Sequence, residues 1–356
     1  MGAGAETDVK QPLVSVIIPV YNTERYVREA LDNAIGQSYR NLEILVVDDG
    51  STDASGSICD EYQKRDRRVR VIHQGKRGVS EARNTGMRTA TGKLIAFLDS
   101  DDRFHPEMIE AMVREMERNN ADISICYATR KARTMRGSSA PANVYSSKQV
   151  FRFLLESRIS PCLWNKVFRR ELWDGIEFSE GRYYEDVAVL FELILRAKRI
   201  CMLRDQMVFY RTREDSITQK VTLKNANDYL WATNCLPRFV QSHPERFTAE
   251  ERTEIRRYSF RRLAKRYCDL YYIDSGASRE ARNVMKNAMM RYRKIKGELH
   301  FRERVALRMV SDCPSGLAWM YRIYQPLCRI RATLREWHRI QSRELTTHFK
   351  NTRSDR

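Results

Sequence analysis

Three carboxylates stand within four residues at Asp99-Ser100-Asp101-Asp102, directly behind the apolar run Leu94-Ile95-Ala96-Phe97-Leu98. Acids packed this tightly repel one another unless a cation sits among them. Their hard oxygens suit Mg2+ or Mn2+, and a Mg2+ held by one or two carboxylates commonly binds substrate phosphates as well. The competing reading is a solvated acidic turn in front of a helix that Pro106 opens. Two more acid pairs carry similar potential. Asp48-Asp49 precedes Gly50-Ser51-Thr52-Asp53, and Glu185-Asp186 follows the aromatic-rich Arg182-Tyr183-Tyr184. Arg83 adds a planar cation of the kind that pairs with phosphate oxygens.

Such groups act together only if the chain brings them to one edge. Val14 to Pro19, Leu42 to Val47, Val69 to Ile72, Leu94 to Leu98 and Asp122 to Tyr127 read as strands rich in β-branched and aliphatic residues. Between them, Glu24 to Gln37, Asp53 to about Lys64, Val79 to Ala90 and Pro106 to Asn119 carry helical spacing. Alternation with short connections predicts a mostly parallel sheet with helices on both faces. Ligands of such sheets gather at the carboxyl ends of the strands. Pro19 to Asn22, Asp48 to Asp53 and Asp99 to Asp102 all fall there. Arg130 to Ser147 reads as a polar mobile loop, Val150 to Glu156 and Asn165 to Trp173 as helical, Glu185 to Ala197 as a helix, and Met207 to Tyr210 as a last strand. Beyond Asn225 only helical patterns appear.

The chain has 356 residues, 42% of them hydrophobic, enough for one large domain or two ordinary ones. No apolar run is long enough to span a bilayer, and Met1 to Gln11 has no apolar core of a secretory signal. The eight cysteines are scattered without metal-ligand or redox spacing, which argues for reduced thiols in a cytoplasmic protein. Net charge is +18, with the basic excess concentrated after Asn225. No histidine falls inside the motifs; His73 and His105 read as structural.

The turn after the first strand is Pro-Val-Tyr-Asn, not Gly-x-Gly-x-x-Gly, and no P-loop occurs, so two common nucleotide-binding modes drop out. What remains is similar to a known family. Val16-Ile17-Ile18-Pro19-Val20-Tyr21-Asn22, Val46-Val47-Asp48-Asp49-Gly50-Ser51-Thr52-Asp53, Gly78-Val79-Ser80-Glu81-Ala82-Arg83-Asn84-Thr85-Gly86 and Phe97-Leu98-Asp99-Ser100-Asp101-Asp102 resemble, in order and spacing, the family 2 glycosyltransferases of bacterial surface-polysaccharide type. Each motif alone is weak; the set is specific. It covers about Leu13 to Tyr127 strongly, and continues through Trp164-Asn165-Lys166 and Tyr184-Glu185-Asp186 to about Ile217.

The resemblance implies an α/β GT-A fold, a mostly parallel sheet flanked by helices, for a catalytic domain (13–224, with a nucleotide-sugar half 13–127 and an acceptor half 128–224). Outside the resemblance, the polar N-terminus (1–12) reads as disordered and the C-terminal part (225–356) as a basic helical extension. Pro19, Tyr21, Asn22 and Asp49 would hold the nucleoside, with Tyr21 stacking on the base and Asp49 accepting a ring or ribose proton. Arg83, Asp99 and Ser100 would face the diphosphate. Asp99 and Asp101 would ligate Mn2+ or Mg2+. Asp186, or its neighbour Glu185, would be the single base that an inverting displacement needs. Partners would be a nucleotide-sugar donor, most simply a UDP-sugar, and a glycan or lipid-linked acceptor, but not nucleic acid. Trp164 and Lys166 read either as walls of the acceptor pocket or as core packing with a snorkelling lysine. The alternatives are a nucleotidyltransferase on a related sheet and a non-catalytic nucleotide-sugar-binding protein.

Leu317, Met320, Tyr321, Tyr324, Leu327, Cys328 and Leu334 share a helical face flanked by Arg322, Arg329, Arg335 and Arg339, although Arg331 interrupts it and Pro326 would kink it. With Trp319 and Trp337, this stretch reads as a peripheral contact with an anionic inner membrane face, where each basic residue contributes ~1 kcal/mol. The other reading is a helical cap with a solvated basic face.

Overall fold

The computed structural model describes residues 11–137, 140–212, 221–273 and 275–322. The chain begins as strand–helix alternation: β1 (Val14–Val20), α1 (Val27–Ile35), β2 (Leu42–Asp48), α2 (Ser55–Arg65), β3 (Val69–His73), α3 (Val79–Thr89) and β4 (Leu94–Phe97). β1 and β4 are buried along their whole length, as expected of apolar strands covered on both faces. β1 lies parallel between β2 and β4, and β2 pairs in parallel with β3.

The continuation is β5 (Arg103–Phe104), α4 (Met108–Asn119), β6 (Ile123–Thr129), β7 (Asn143–Ser146), α5 (Ser147–Leu155), β8 (Lys166–Arg169), α6 (Glu185–Arg196) and β9 (Arg199–Phe209). Among the described residues, nine strands form one sheet in the order β3-β2-β1-β4-β8-β6-β9-β5, with β7 also on β9.

Two expectations are corrected here. Asn165 to Trp173 is not a helix: Lys166–Arg169 is a strand, antiparallel to both β4 and β6, followed by a 3-10 turn at Arg170–Trp173. Val167 and Phe168 are fully buried between those partners, so sheet packing overrides a four-residue pattern too short to show its own period. Nor is Arg130 to Ser147 only a loop. It contains a 3-10 turn at Ala132–Thr134 and the edge strand β7, whose exposure alternates along Asn143–Ser146.

The helical part consists of α7 (Leu223–Ser242), α8 (Ala249–Tyr271), α9 (Gly276–Met290) and α10 (Phe301–Asp312). The described residues divide into two compact units. One holds the nine strands together with Trp231–Arg246; the other holds Val221–Leu230 and the described residues from Phe247 onward. In the first unit Phe239 packs edge-on against Phe191 of α6, with ring centroids 5.4 Å apart. In the second, Thr248 and Glu251 close a capping box on α8. The buried Phe260, Leu263 and Tyr267 of α8 and Met285 and Met289 of α9 form its core. Residues 323–356, with most of the amphipathic basic stretch, lie outside the described residues. Of its beginning, Leu317 is buried while Trp319 and Met320 are exposed.

Glu43 on β2 ties three segments together. Its Oε1 accepts from Ser15 Oγ on β1 and from the backbone N–H groups of Thr91 (2.7 Å) and Gly92 (2.8 Å) ahead of β4. Burial pushes this carboxyl up, but those hydrogen bonds outweigh it and hold the group below its ordinary 4.5. A depressed carboxyl stabilises the fold above its unfolded pKa and loses that contribution as pH falls through the folded value. Glu43→Gln should therefore lower stability at pH 7 by on the order of 1 kcal/mol. In denaturant titrations across pH, its gap to wild type should narrow below about pH 4.5; a gap independent of pH would contradict the assignment.

Candidate active site

The strand ends of β1, β2 and β4 open onto one edge. Pro19 is buried in β1, where its missing N–H falls on the β4 side, beyond the last pair at Ile17 and Phe97. Tyr21 is half-buried, and its hydroxyl accepts from Lys76 Nζ (2.7 Å), which also stands 4.5 Å from the ring centroid. Asn22 adopts a left-handed backbone (φ 49°). Its Oδ1 accepts from Thr52 N (2.8 Å) and its own N–H donates to Ser51 Oγ (3.1 Å), clasping the β1 turn to the β2 turn.

Asp49 is buried and accepts three hydrogen bonds: from Gln74 Nε2 (2.7 Å), Arg77 N (2.9 Å) and Gly78 N (2.7 Å). Gly78 has φ 95°, a conformation that only glycine adopts without strain, and it opens α3. An ionised carboxylate offers about four acceptor directions, so Asp49 shapes the loop into α3 and keeps acceptor capacity. Its neighbour Asp48 accepts from His73 Nδ1 (2.9 Å) and Ser51 N (3.1 Å).

Helix α3 is the spine of the site. A Cβ on Gly86 would lie 2.5 Å from Ile17 Cγ2, so glycine lets this helix seat against β1. One turn earlier, Arg83 is buried and its Nη2 donates to Asp99 Oδ1 (2.7 Å). Its Nη1 pairs with Glu185, the first residue of α6. The Asn84 side-chain amide donates Nδ2 to Phe178 O (2.9 Å) and its Oδ1 accepts from Phe178 N (2.8 Å), and Ser80 Oγ donates to Arg182 O (3.1 Å). The segment leading to Glu185-Asp186 is thus fastened along α3. Phe178 and Trp173 also pack on Phe97 of β4, with centroids 5.8 and 5.3 Å away.

The acid turn follows β4. Asp99 and Asp101 are half-buried, whereas Ser100 and Asp102 are buried. Arg211 N donates to Asp102 Oδ1 (2.8 Å) and Arg211 Nε to Asp101 O (2.9 Å). Arg211 escaped sequence reasoning: a single arginine behind a strand carries no signal until tertiary structure brings it 110 residues back along the chain. Asp102 Oδ2 is buried with no hydrogen-bond partner among the described residues. Burial, then the charges of Asp99 and Asp101, push the Asp102 carboxyl well up. Concentrated negative charge on hard oxygens, one of them without a hydrogen-bond partner, fits a divalent cation. Among the described residues no three His, Cys, Asp or Glu side chains close into a metal cage, so a cation here would need further oxygens from a ligand.

Glu185 and Asp186 open α6 behind Tyr184, itself left-handed at φ 63°. Burial pushes the Glu185 carboxyl up, Arg83 opposes this, and Asp186 adds to it. Burial disfavours the Arg83 cation, but Glu185, Asp99 and Asp186 together hold it charged. Asp186 Oδ1 accepts from Val187 N (2.7 Å). The strand-end acids and the α6 acids therefore meet across one guanidinium. Trp164 is buried and stacks on Tyr210 (5.5 Å, 15°). Lys166 is fully buried and does not snorkel: its ammonium is held by oxygens of the protein interior. A separate cleft of about 410 Å³, lined by Asn84, Arg88, Arg170, Trp173 and Ile176 among others, contains none of these site acids.

The fold is the expected GT-A arrangement, and the chain belongs to glycosyl transferase family 2, whose sequence profile matches residues 15–174. Glycosyltransferase GlyG of Streptococcus pneumoniae serotype 4 is 31% identical over 270 residues, spanning 72% of this chain and 87% of GlyG. The uncharacterized glycosyltransferase EpsJ of Bacillus subtilis (strain 168) is 35% identical over 218 residues, 58% of this chain and 63% of EpsJ. In three dimensions the chain is similar to S. aureus TarS 1-349, solved with UDP-GlcNAc (TM-score 0.55, 19% identity, 84% of this chain and 91% of that one). It is also similar to the mannosyltransferase PcManGT of Pyrobaculum calidifontis, solved with GDP-Man and Mn2+ (TM-score 0.50, 16% identity, 89% and 88%). No helix among the described residues is long and apolar enough to cross a membrane.

The bridge itself is testable. Arg83→Met leaves the Glu185 carboxylate buried without its partner and should lower stability by about 3–5 kcal/mol in urea unfolding. Arg83→Met combined with Glu185→Leu should recover most of that loss; equal destabilisation by the single and double variants would show that the pair does not act as a unit.

Proposed function

We propose that the chain transfers one sugar from a nucleotide-sugar donor, a UDP-sugar, to an acceptor hydroxyl with inversion. The observation that supports this is the Arg83 guanidinium joining Asp99, at the strand-end acid turn, to Glu185, next to Asp186. Pro19, Tyr21, Asn22 and Asp49 form the nucleoside edge, with Tyr21 as a stacking surface and Asp49 accepting a proton of the base or ribose. Arg83 and Ser100 lie on the diphosphate side. Arg83 orders the acids there, with both of its Nη groups held by Asp99 and Glu185.

Asp186 takes the proton of the acceptor hydroxyl. The acceptor oxygen bonds to the anomeric carbon as the bond to the diphosphate oxygen breaks on the opposite face, releasing a nucleoside diphosphate. One base suffices, because no covalent intermediate has to be hydrolysed. Glu185, whose carboxylate is buried on the guanidinium, is assigned the task of keeping Arg83 in place, and the base role falls to Asp186. Asp99 and Asp101 would hold Mn2+ or Mg2+, which supplies charge neutralisation at the leaving diphosphate when bound. A glycan or lipid-linked acceptor in surface polysaccharide synthesis at an anionic inner membrane face suits the family and the basic C-terminal region.

A screen of nucleotide sugars for nucleoside diphosphate release, with Mn2+ present, tests the reading; release of pyrophosphate would point to nucleotidyl transfer instead. Asp186→Asn should cut transfer by at least about 100-fold while donor binding persists. Asp101→Ala should abolish turnover in a folded protein, and EDTA should do the same to wild type. Near-normal transfer by Asp186→Asn, or full activity in EDTA, overturns the corresponding assignment.

A further inference from the structure

We propose that Lys166 is a positioning residue, whose ammonium pins the segment 160–165 as a wall between the Asp99 turn and Asp186, against which the acceptor is oriented. This deepens the sugar-transfer reading and rests on it.

Lysine is almost never fully buried without a compensating partner, yet Lys166 is 0% exposed. Its three donors are all engaged, with Ser160 O (2.9 Å), Cys162 O (2.5 Å) and Asn165 Oδ1 (2.7 Å). None of these partners is a carboxylate, so a whole positive charge is set among dipoles. The segment it gathers contains Pro161, has no regular hydrogen-bond ladder, and lies between α5 and β8. Backbone carbonyls in such a buried stretch need partners, and here a single ammonium serves two of them. Asn165 carries the restraint into the sheet: its Nδ2 donates to Cys126 O (2.6 Å) and its O accepts from Cys126 N (3.0 Å).

The location makes this more than packing. The antiparallel register Ala96↔Val167 sets Lys166 beside the end of β4, where the acid turn leaves the sheet. Within the pinned segment, the Cys162 thiol is pushed up to about 12 by burial and then by Asp186, with a smaller push from Asp99. The segment therefore lies in the field of both acids. Burial lowers Lys166 to about 8, and Asp186 is among the groups that resist the loss of its charge. For stability alone an apolar residue of similar volume would serve as well or better than a buried charge. A lysine at this position instead fixes a wall and places a positive charge near the proposed base.

The test uses the full-length wild type and Lys166→Met, whose unbranched side chain has similar length but no charge or donors. Three readouts are compared: UDP affinity by calorimetry with Mn2+, UDP release from a UDP-sugar, and alkylation of Cys162 by iodoacetamide, mapped by mass spectrometry. Cys162 Sγ accepts from Ser160 Oγ (3.0 Å) and is half-buried, so it reports the segment directly. Lys166→Met should bind UDP within about twofold of wild type, release UDP about tenfold more slowly or worse, and alkylate Cys162 about tenfold faster. Unchanged Cys162 alkylation overturns the proposal, as does a fall in UDP affinity that matches the fall in release. If Lys166→Met does not fold, Lys166→Arg keeps the charge but cannot converge three donors on the same point. It should raise Cys162 alkylation likewise, and no rise overturns the proposal. A wild type that neither binds UDP nor releases it from any UDP-sugar defeats the sugar-transfer reading, and the alkylation arm still decides whether Lys166 holds the segment.

Discussion

A guanidinium buried between two carboxylates is the constraint on which the rest of this site depends. Arg83 reaches Asp99, 16 residues ahead, and Glu185, 102 residues ahead. Taking Arg83 and Glu185 out of water is tolerable only if they neutralise one another in good geometry, and the half-buried Asp99 adds to the hold on the guanidinium. That requirement fixes α3, the turn after β4 and the start of α6 relative to one another. Asn84, which clasps Phe178, and Ser80, which donates to Arg182, repeat the same fastening along α3. The aromatic cluster of Phe97, Trp173 and Phe178 fills the space beneath it.

The excess of negative charge on the other side of Arg83 has a complementary logic. Asp99, Asp101 and Asp102 share one turn, and Arg211 braces only its backbone and one Asp102 oxygen. A turn built only for stability would not leave a buried carboxylate oxygen without a partner. Electrostatic imbalance at the mouth of a parallel sheet, with the adjoining loop ordered by Asp49 and Gly78, fits the proposed binding of a charged ligand. Lys166 extends the principle to the segment ahead of β8, where a cation among carbonyl oxygens holds residues that have no ladder of their own.

The helices after β9 belong to different bodies. Trp231–Arg246 counts with the sheet unit, and Phe239 there supports α6 through Phe191. The second unit has its own core along α8 and α9, with Arg257 and Arg261 of α8 paired to Glu303 of α10. A division drawn from composition alone falls near residue 225, because charge balance changes there. The contact-defined division passes through α7 instead, since a helix can bury its two halves in different neighbours.

The strand-end motifs were legible in the sequence because each is local: an apolar run sets the strand, and the polar residues just behind it must lie at its carboxyl end. Pro19, Asp49 and Asp99 are found by that rule without coordinates, whereas the order β3-β2-β1-β4 of the strands in the sheet is not. The identity of the Glu185-Asp186 helix was equally plain from its apolar stripe. Tertiary structure alone decided what these groups do to one another. Arg83 read as a cation awaiting phosphate, and the fold reveals it already holding Glu185 and Asp99. Lys166 read as a residue of a helix or a surface stem. Insertion of its four-residue strand between β4 and β6 put its ammonium in the interior instead, since strand pairing across more than 40 residues of chain leaves no period in a segment so short.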